Sequence, residues 1–393
     1  MNPSSVLLTV TGRDRPGVTG ALFAALAGDD RLVVEILDVE QVVIRGRLTL
    51  GVLLRASGDL AALRRGVTGV CDGLGLEAEI VESASADGRA RTGRGARHHV
   101  ILVGRPLGAG AISEVAQAIA QCDGNIDSII QLAHEPVSSL ELIVSGAGTA
   151  PLRAALTQAA AQTGIDIAVE AAGLRRRAKR LVVLDVDSTL VQGEGIDLLA
   201  ERAGAGEAVQ RITEAAMAGE LDFTESLTRR VALLAGLPMS EVHDVRDRLQ
   251  LTPGAATLVR TLHRLGFRVG VVSGGFTVFT DRFVAELGLD FAAANQLEVV
   301  DERLTGRVTG AVVDRAGKAA ALAHFAERFG IPLEQTVAIG DGANDIDMIE
   351  AAGLGIAFNA KAALRASADA SLSVPFLDTV LFILGLSSDE IAG

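Results

Sequence analysis

The chain has 393 residues, room for two to four domains at about 100–200 residues each. Apolar residues make up 49% and charged residues 22%, which excludes wholesale disorder, and aromatics at 3% without Trp or Tyr exclude stacking platforms for single-stranded nucleic acid. A net charge of −13 weighs against nucleic-acid or anionic-lipid partners, so a phosphorylated substrate would need a metal ion or a few placed Lys and Arg.

The first stretch reads as an apolar strand, Val6–Val10, a turn at Gly12-Arg13, and a helix over Val18–Ala27 opened by Pro16-Gly17. Two alternating runs follow, Val33–Ile44 and Leu48–Leu54. Leu60, Leu63, Val67, Val70 and Leu74 then step by three and four, as one helical face requires, and Leu76, Ala78 and Ile80 alternate as a strand. Ser83–Arg97, rich in Gly, Arg, Ser and Ala, reads as a flexible linker. Beyond it the order repeats: strand Val100–Val103, turn Gly104–Pro106, and a helix over Ile112–Gln121 opened by Gly108. Runs Ile126–Leu132 and Leu140–Val144 come next, then a helix through Leu152, Leu156 and Ala160, then a strand through Ile165, Ile167 and Val169. The order β-α-β-β-α-β occurs twice, the α+β ferredoxin-like arrangement.

With Gly12-Arg13-Asp14-Arg15-Pro16-Gly17-Val18 at its first turn, this pair resembles tandem ACT domains, amino-acid-sensing modules, over residues 1–83 and 97–172. Gly17 lets the backbone approach a ligand, and the helix that follows offers unpaired N–H groups to a carboxylate. The resemblance implies an effector site at Gly17, with Gly108 in the corresponding place of the second repeat, where Pro106-Leu107-Gly108 departs from the pattern. L-serine is the expected effector, and a homodimer formed by the open-edged sheets the expected assembly. The basic run Arg175-Arg176-Arg177-Ala178-Lys179-Arg180 reads as a solvated junction.

From residue 181 the chain alternates strands and helices. Continuous apolar runs, Leu181–Leu184, Val269–Val272, Val337–Ile339 and Leu354–Ala357, mark buried parallel strands. Each is followed by polar residues or Gly, and ligands of open α/β sheets bind at those strand ends. Asp185-Val186-Asp187-Ser188-Thr189 places two carboxylates where a cation or proton must compensate them. Ser273-Gly274-Gly275 suits the cradling of phosphate oxygens, and Gly317-Lys318 puts an ammonium at the start of a helix predicted over Ala319–Phe329. Gly340-Asp341-Gly342-Ala343-Asn344-Asp345 suits a hard cation such as Mg²⁺.

In this order the four stretches resemble the haloacid dehalogenase superfamily over residues 181–393, which implies a Rossmann-like parallel-sheet core with a helical cap at about 191–253. The first motif, Glu194 nine residues after Asp185, and Phe223-Thr224-Glu225-Ser226-Leu227-Thr228-Arg229-Arg230 are similar to the branch that hydrolyses O-phospho-L-serine to L-serine. Leu184, where many members carry Phe, and Ala319, where Gly is frequent, are departures that touch packing. The resemblance implies Asp185 as nucleophile and Asp187 as general acid and base. It implies a Mg²⁺ site from the Asp185 carboxylate, the Asp187 backbone carbonyl and Asp341, with Asp345 orienting ligands behind them. Ser273, Gly274 and Lys318 would hold the phosphoryl oxygens, and Asn344 would position the substrate. In the cap, Glu194 would take the ammonium, Arg230 the carboxylate, and Phe223 would line the pocket.

The alternatives are another phosphomonoesterase or a phosphotransferase of the same superfamily, and a non-catalytic amino-acid sensor. Cys71 and Cys122 are too few for a disulfide framework and read as small hydrophobes in a reducing compartment. Neither Val6–Val10 nor Val380–Leu386 is long enough for a signal peptide or a span, so a cytoplasmic protein is expected.

Overall fold

Alternation in the first repeat sends Val6, Leu8 and Val10 to one face of a strand, and that face is buried. The structure, a computed structural model, describes residues 4–27, 33–83, 96–217 and 220–392. It divides into two units, residues 1–92 and 93–393.

In the first unit, β1 (Ser4–Arg13), β2 (Val33–Ile44), β3 (Arg47–Ser57) and β4 (Leu76–Ser83) form an antiparallel sheet in the order β2-β3-β1-β4. Helices α1 (Val18–Ala27) and α2 (Leu60–Leu74) cover one face through Val18, Leu22, Leu26, Leu63, Val67 and Cys71. Asp59 caps α2 by accepting from the N–H groups of Ala61 and Ala62. The predicted β-α-β-β-α-β order is therefore present. The run over β2 does not bury one side: Val39, Val42, Val43 and Ile44 are all exposed, because β2 is an edge strand beyond the helices.

The second unit opens with the second repeat: β5 (Arg97–Gly104), α3 (Ala109–Gln121), β6 (Asn125–Ala133), β7 (Ser138–Ser145), α4 (Thr149–Thr163) and β8 (Asp166–Ala171). After α5 (Leu174–Arg177) come β9 (Leu181–Leu184) and four cap helices, α6 (Gly195–Arg202), α7 (Gly206–Met217), α8 (Phe223–Ala232) and α9 (Met239–Arg248). The core then continues through α10 (Ala255–Arg264), β10 (Arg268–Phe276), α11 (Thr277–Leu287), β11 (Phe291–Val300) and β12 (Arg303–Thr309). It ends with α12 (Arg315–Arg328), β13 (Thr336–Gly340), α13 (Ile346–Ala351), β14 (Gly355–Phe358), α14 (Ala362–Ser367), β15 (Ala370–Leu372), α15 (Val380–Ile383) and α16 (Ser388–Ala392).

One sheet runs through this unit in the order β12-β11-β10-β9-β13-β14-β15-β8-β5-β7-β6. Strands β11, β10, β9, β13, β14 and β15 of the hydrolytic half pair in parallel in that order, and β12 folds back antiparallel on the edge. All four residues of β9 are fully buried because helices cover both faces. Val182 and Leu184 belong to a core cluster that includes Leu258 and Leu262 of α10, and Leu181 and Val183 to one that includes Leu322 and Phe325 of α12. The cap leaves and rejoins the core at a narrow neck, where Val191 bridges Leu251 and the Thr252 N–H donates to the Leu190 carbonyl at 2.9 Å.

At the joints one expectation changes, that of the solvated basic run. Strand β8 pairs with β15 at Ala168–Ala370, so the second repeat and the hydrolytic half share one sheet. The basic run is not solvated throughout. Half-buried Arg176 lies between Glu141 at 2.8 Å and Glu170 at 3.0 Å, and the buried Lys179 ammonium donates to the Glu334 carbonyl at 3.0 Å. Carboxylates enclosed at this joint require counter-charges. Residues 84–95 of the predicted linker lie outside the described residues. Cys71 is buried and Cys122 half-buried, both free.

Candidate active site

The Asp185 N–H still donates to the Ile339 carbonyl of β13 at 2.8 Å, so its carboxylate stands at the sheet's C-terminal edge. The chain then turns sharply through Val186–Leu190, with Ser188 in the left-handed region at φ 58°. The turn brings Asp187 back beside its partner. Asp187 Oδ1 accepts from the Gly195 N–H at 2.8 Å, and Oδ2 faces the Ser273 hydroxyl at 3.4 Å. Ser273 Oγ in turn accepts from the Gly275 N–H at 2.8 Å.

Lys318 is fully buried and donates to Asp185 Oδ1 and Asp345 Oδ1, both at 2.7 Å. The helix carrying it starts earlier than predicted, at Arg315, because Asp314 caps it by accepting from the Gly317 N–H. Lys318 thus sits inside the first turn and points into the core. Asp345 Oδ2 accepts from the N–H groups of Asp341 and Gly342 at 3.1 Å each, which fixes the loop that presents Asp341. Ligand atoms of Asp185, Asp341 and Asp345 come within 4.8 Å of one another.

The glycine loop depends on missing side chains. A Cβ at Gly274 would lie 2.9 Å from Phe223 of the cap, and one at Gly275 would lie 2.8 Å from Asp187 Oδ2. Strand β10 runs on to Phe276 with a register shift after Val272, so the loop is a distorted strand end. Asn295, buried within β11, donates to the Gly274 carbonyl and accepts from the Val313 N–H, each at 2.8 Å. Sequence reasoning missed this residue; its only signal is an Asn directly after the apolar run Phe291–Ala294.

Between these loops and the cap lies a cavity of about 730 Å³. Asp185, Asp187, Gly274, Asp341 and Asn344 line it from the core, and Glu194, Phe223 and Arg230 from the cap. Ser273, Lys318 and Asp345 lie buried behind that wall. Asp197 and Ser226 also face the cavity, and neither was singled out from the sequence. Gly108 stands before α3 with an ordinary φ of −82°, away from this site's lining. Gly17 belongs to the other unit, with φ 94° and open space where a Cβ would go.

The electrostatics are those of crowded anions. Burial, and then the neighbouring carboxylate of Asp345, holds Asp185 well above the usual carboxylate range even against Lys318. Burial also raises Asp187 and pushes Asp341 up to about 6. Burial alone would lower Lys318, but Asp185 and Asp345 outweigh it and hold the ammonium above its ordinary value. Enclosure of its carboxylate, with Asp187, Asp341 and Asp197 around it, pushes Glu194 up to about 7, although the side chain stays open to solvent on the cavity side. Two close carboxylates on one cavity wall and a third behind it, with one buried ammonium among them, fit a divalent oxygen-liking cation.

Residues 182–350 match the haloacid dehalogenase-like hydrolase family, and residues 4–80 and 96–170 each match the ACT domain family. Phosphoserine phosphatase SerB2 of Mycobacterium tuberculosis is 57% identical over 98% of this chain and 94% of its own length. Phosphoserine phosphatase of Streptomyces coelicolor is 54% identical over 98% and 93%. Among solved structures, a probable phosphoserine phosphatase from Vibrio cholerae, in unliganded form, is similar at a TM-score of 0.59 and 34% identity. It covers 76% of this chain and 88% of its own. A phospho-aspartyl intermediate analogue of phosphoserine phosphatase, 45% identical, matches at a TM-score of 0.50 over 52% of this chain and 98% of its own.

Proposed function

The chain belongs to the phosphoserine phosphatases of the haloacid dehalogenase-like hydrolases, with two ACT domains ahead of the hydrolase, and from that premise we propose that it hydrolyses O-phospho-L-serine to L-serine and phosphate on Asp185. One observation carries the choice of substrate. Above the Asp185–Asp187 pair, the cavity wall sets Glu194 together with Arg230, so a ligand with both an ammonium and a carboxylate satisfies both.

The Asp185 carboxylate attacks phosphorus, and the ester P–O bond breaks to leave an aspartyl-phosphate. Asp187, held beside the nucleophile by the Gly195 N–H and the Ser273 hydroxyl, gives a proton to the departing serine oxygen, and its burial favours the protonated form. Asp187 then takes a proton from water, which attacks phosphorus, releases phosphate and returns Asp185. Lys318, the Ser273 hydroxyl and the Gly274 N–H stabilise the phosphoryl oxygens, with Asn295 fixing the Gly274 loop. Asn344, which also lines the cavity, positions the substrate. Asp185, Asp341 and the Asp187 carbonyl would hold Mg²⁺, with Asp345 orienting them from behind. When bound, the ion neutralises the repulsion between an anionic nucleophile and an anionic phosphate. The cap excludes water from the aspartyl-phosphate until serine has left.

Phosphate release from O-phospho-L-serine, O-phosphoethanolamine and a sugar phosphate, with Mg²⁺ and with a chelator, tests the reading. Mg²⁺-dependent turnover that favours O-phospho-L-serine is expected. Equal turnover of the sugar phosphate points to a general phosphomonoesterase, and no release at all to a sensor.

Regulation and assembly extend the proposal. L-serine binds at Gly17, where positive φ and open space leave the α1 N–H groups accessible, and lowers activity. Gly108 is the second candidate. The apolar β2 edge supports a homodimer. Among the described residues no helix is long and apolar enough to cross a membrane, and we place the enzyme in the cytoplasm.

A further inference from the structure

On α8, Phe223, Ser226, Leu227 and Arg230 recur at helical spacing and all line the cavity. Three of them are accounted for by contact with the glycine loop, by packing and by charge. Ser226 is not. It is 2% exposed, and its Oγ has no hydrogen-bond partner. Thr228, two residues on, meets its own need by donating to the Thr224 carbonyl at 2.7 Å; Ser226 makes no such bond to its helix. Of the buried hydroxyls left unpartnered among the described residues, Ser139, Thr189, Ser226 and Thr261, it is the one on the cavity wall. A buried, unmet hydroxyl in a helix where Ala would fit better marks a place kept for a partner that arrives.

The neighbours say which partner. Arg230 Nε points back to the Ser226 carbonyl at 3.4 Å, which lays the guanidinium along the helix beside Ser226. A guanidinium only donates, and it leaves two lone-pair positions on a carboxylate that it grips through a fork. Glu194, which also lines the cavity, takes the ammonium in the proposed function, and Asp197 adds its charge near Arg230. We infer that the Ser226 hydroxyl donates to the substrate's carboxylate beside Arg230, and so sets specificity for a 2-amino acid phosphomonoester. This rests on the phosphoserine reading and names one of its contacts.

Ser226→Ala is compared with wild type on three ligands. O-phospho-L-serine carries both groups, 3-phosphoglycerate (as substrate or competitor) keeps the carboxylate without the amine, and O-phosphoethanolamine keeps the amine without the carboxylate. The expected result is a loss of about tenfold or more in kcat/KM or affinity on the first two, mostly in KM. Turnover of O-phosphoethanolamine and the thermal midpoint should not fall. A loss equal on all three, or a lowered midpoint with no change in preference, assigns Ser226 to packing and overturns the inference. A loss on both amines that spares 3-phosphoglycerate places the hydroxyl at the ammonium and overturns it too, as does no change at all. A wild type without preference for O-phospho-L-serine over O-phosphoethanolamine fails the functional reading itself, before any variant is compared.

Discussion

Replacing Lys318 by Met removes the one buried ammonium between Asp185 and Asp345 while keeping the length of the side chain. Breaking a buried pair by removing one partner costs about 3–5 kcal/mol, because a charge is left uncompensated. An independent ceiling comes from protonation. Instead of staying ionised, one carboxylate can take up a proton, and for a group with an ordinary pKa near 3.9 that costs about 4 kcal/mol at pH 7 and about 1.5 kcal/mol at pH 5. In the variant that carboxylate has a raised folded pKa, so the penalty is complete above that pKa and fades as pH falls towards the unfolded value. The chain has no Trp or Tyr, so unfolding in urea is best followed by far-ultraviolet circular dichroism, with a chelator present. The expected loss at pH 7 is about 3–4 kcal/mol, shrinking by roughly 2 kcal/mol or more at pH 5, with uptake of one proton on folding. Adding Asp345→Asn to Lys318→Met should recover part of the loss. A loss that is independent of pH, or an additive double variant, would refute the shared-charge account.

Asp185→Asn should abolish turnover and leave the fold intact, and residual activity above a tenth of wild type would sink the covalent route. Asp187→Asn should impair alkyl phosphates far more than an aryl phosphate with a good leaving group; an equal defect on both removes its acid role. Arg230→Ala should cost about 1.5–3 kcal/mol in kcat/KM for O-phospho-L-serine and little for O-phosphoethanolamine, and parallel losses would contradict the carboxylate grip. Glu194, held near 7, is neutral below that pH and cannot pair with an ammonium. The kcat/KM for O-phospho-L-serine should therefore drop as pH falls through about 7, and Glu194→Gln should lack that limb; an unchanged limb assigns it to another group.

What the sequence disclosed follows the range of the interactions involved. Asp185, Ser273 and Asp341 were legible because buried parallel strands read as unbroken apolar runs with the chemistry at their ends, and Lys318 because Gly317-Lys318 marks a helix start. Local periodicity likewise exposed both ferredoxin-like repeats. Asn295 was not legible, since its partners, Gly274 and Val313, are assembled only by the fold. Arg176 and Lys179 looked like solvated charge because Glu141 and the Glu334 carbonyl that meet them are distant in sequence. Ser226 and Asp197 sat in plain amphipathic helices, where position on the cavity face becomes visible only once the cap is closed over the sheet. The start of α12 was misplaced by four residues because Asp314, not Gly317, supplies the cap.

The shared sheet also decides where the protein can be cut. Strand β15 would be the bare rim of the hydrolase if nothing followed it, and an uncovered rim recruits other chains. The second repeat guards it. Besides the Ala168–Ala370 pair, Asp166 accepts from both the N–H and the hydroxyl of Ser373 at 2.7 Å, and Arg153 meets Asp369 at 2.7 Å. Asp369 also accepts from the Gly355 N–H at the start of β14. A hydrolase half expressed from residue 181 should accordingly self-associate or precipitate, whereas a chain begun at residue 93 should stay dispersed.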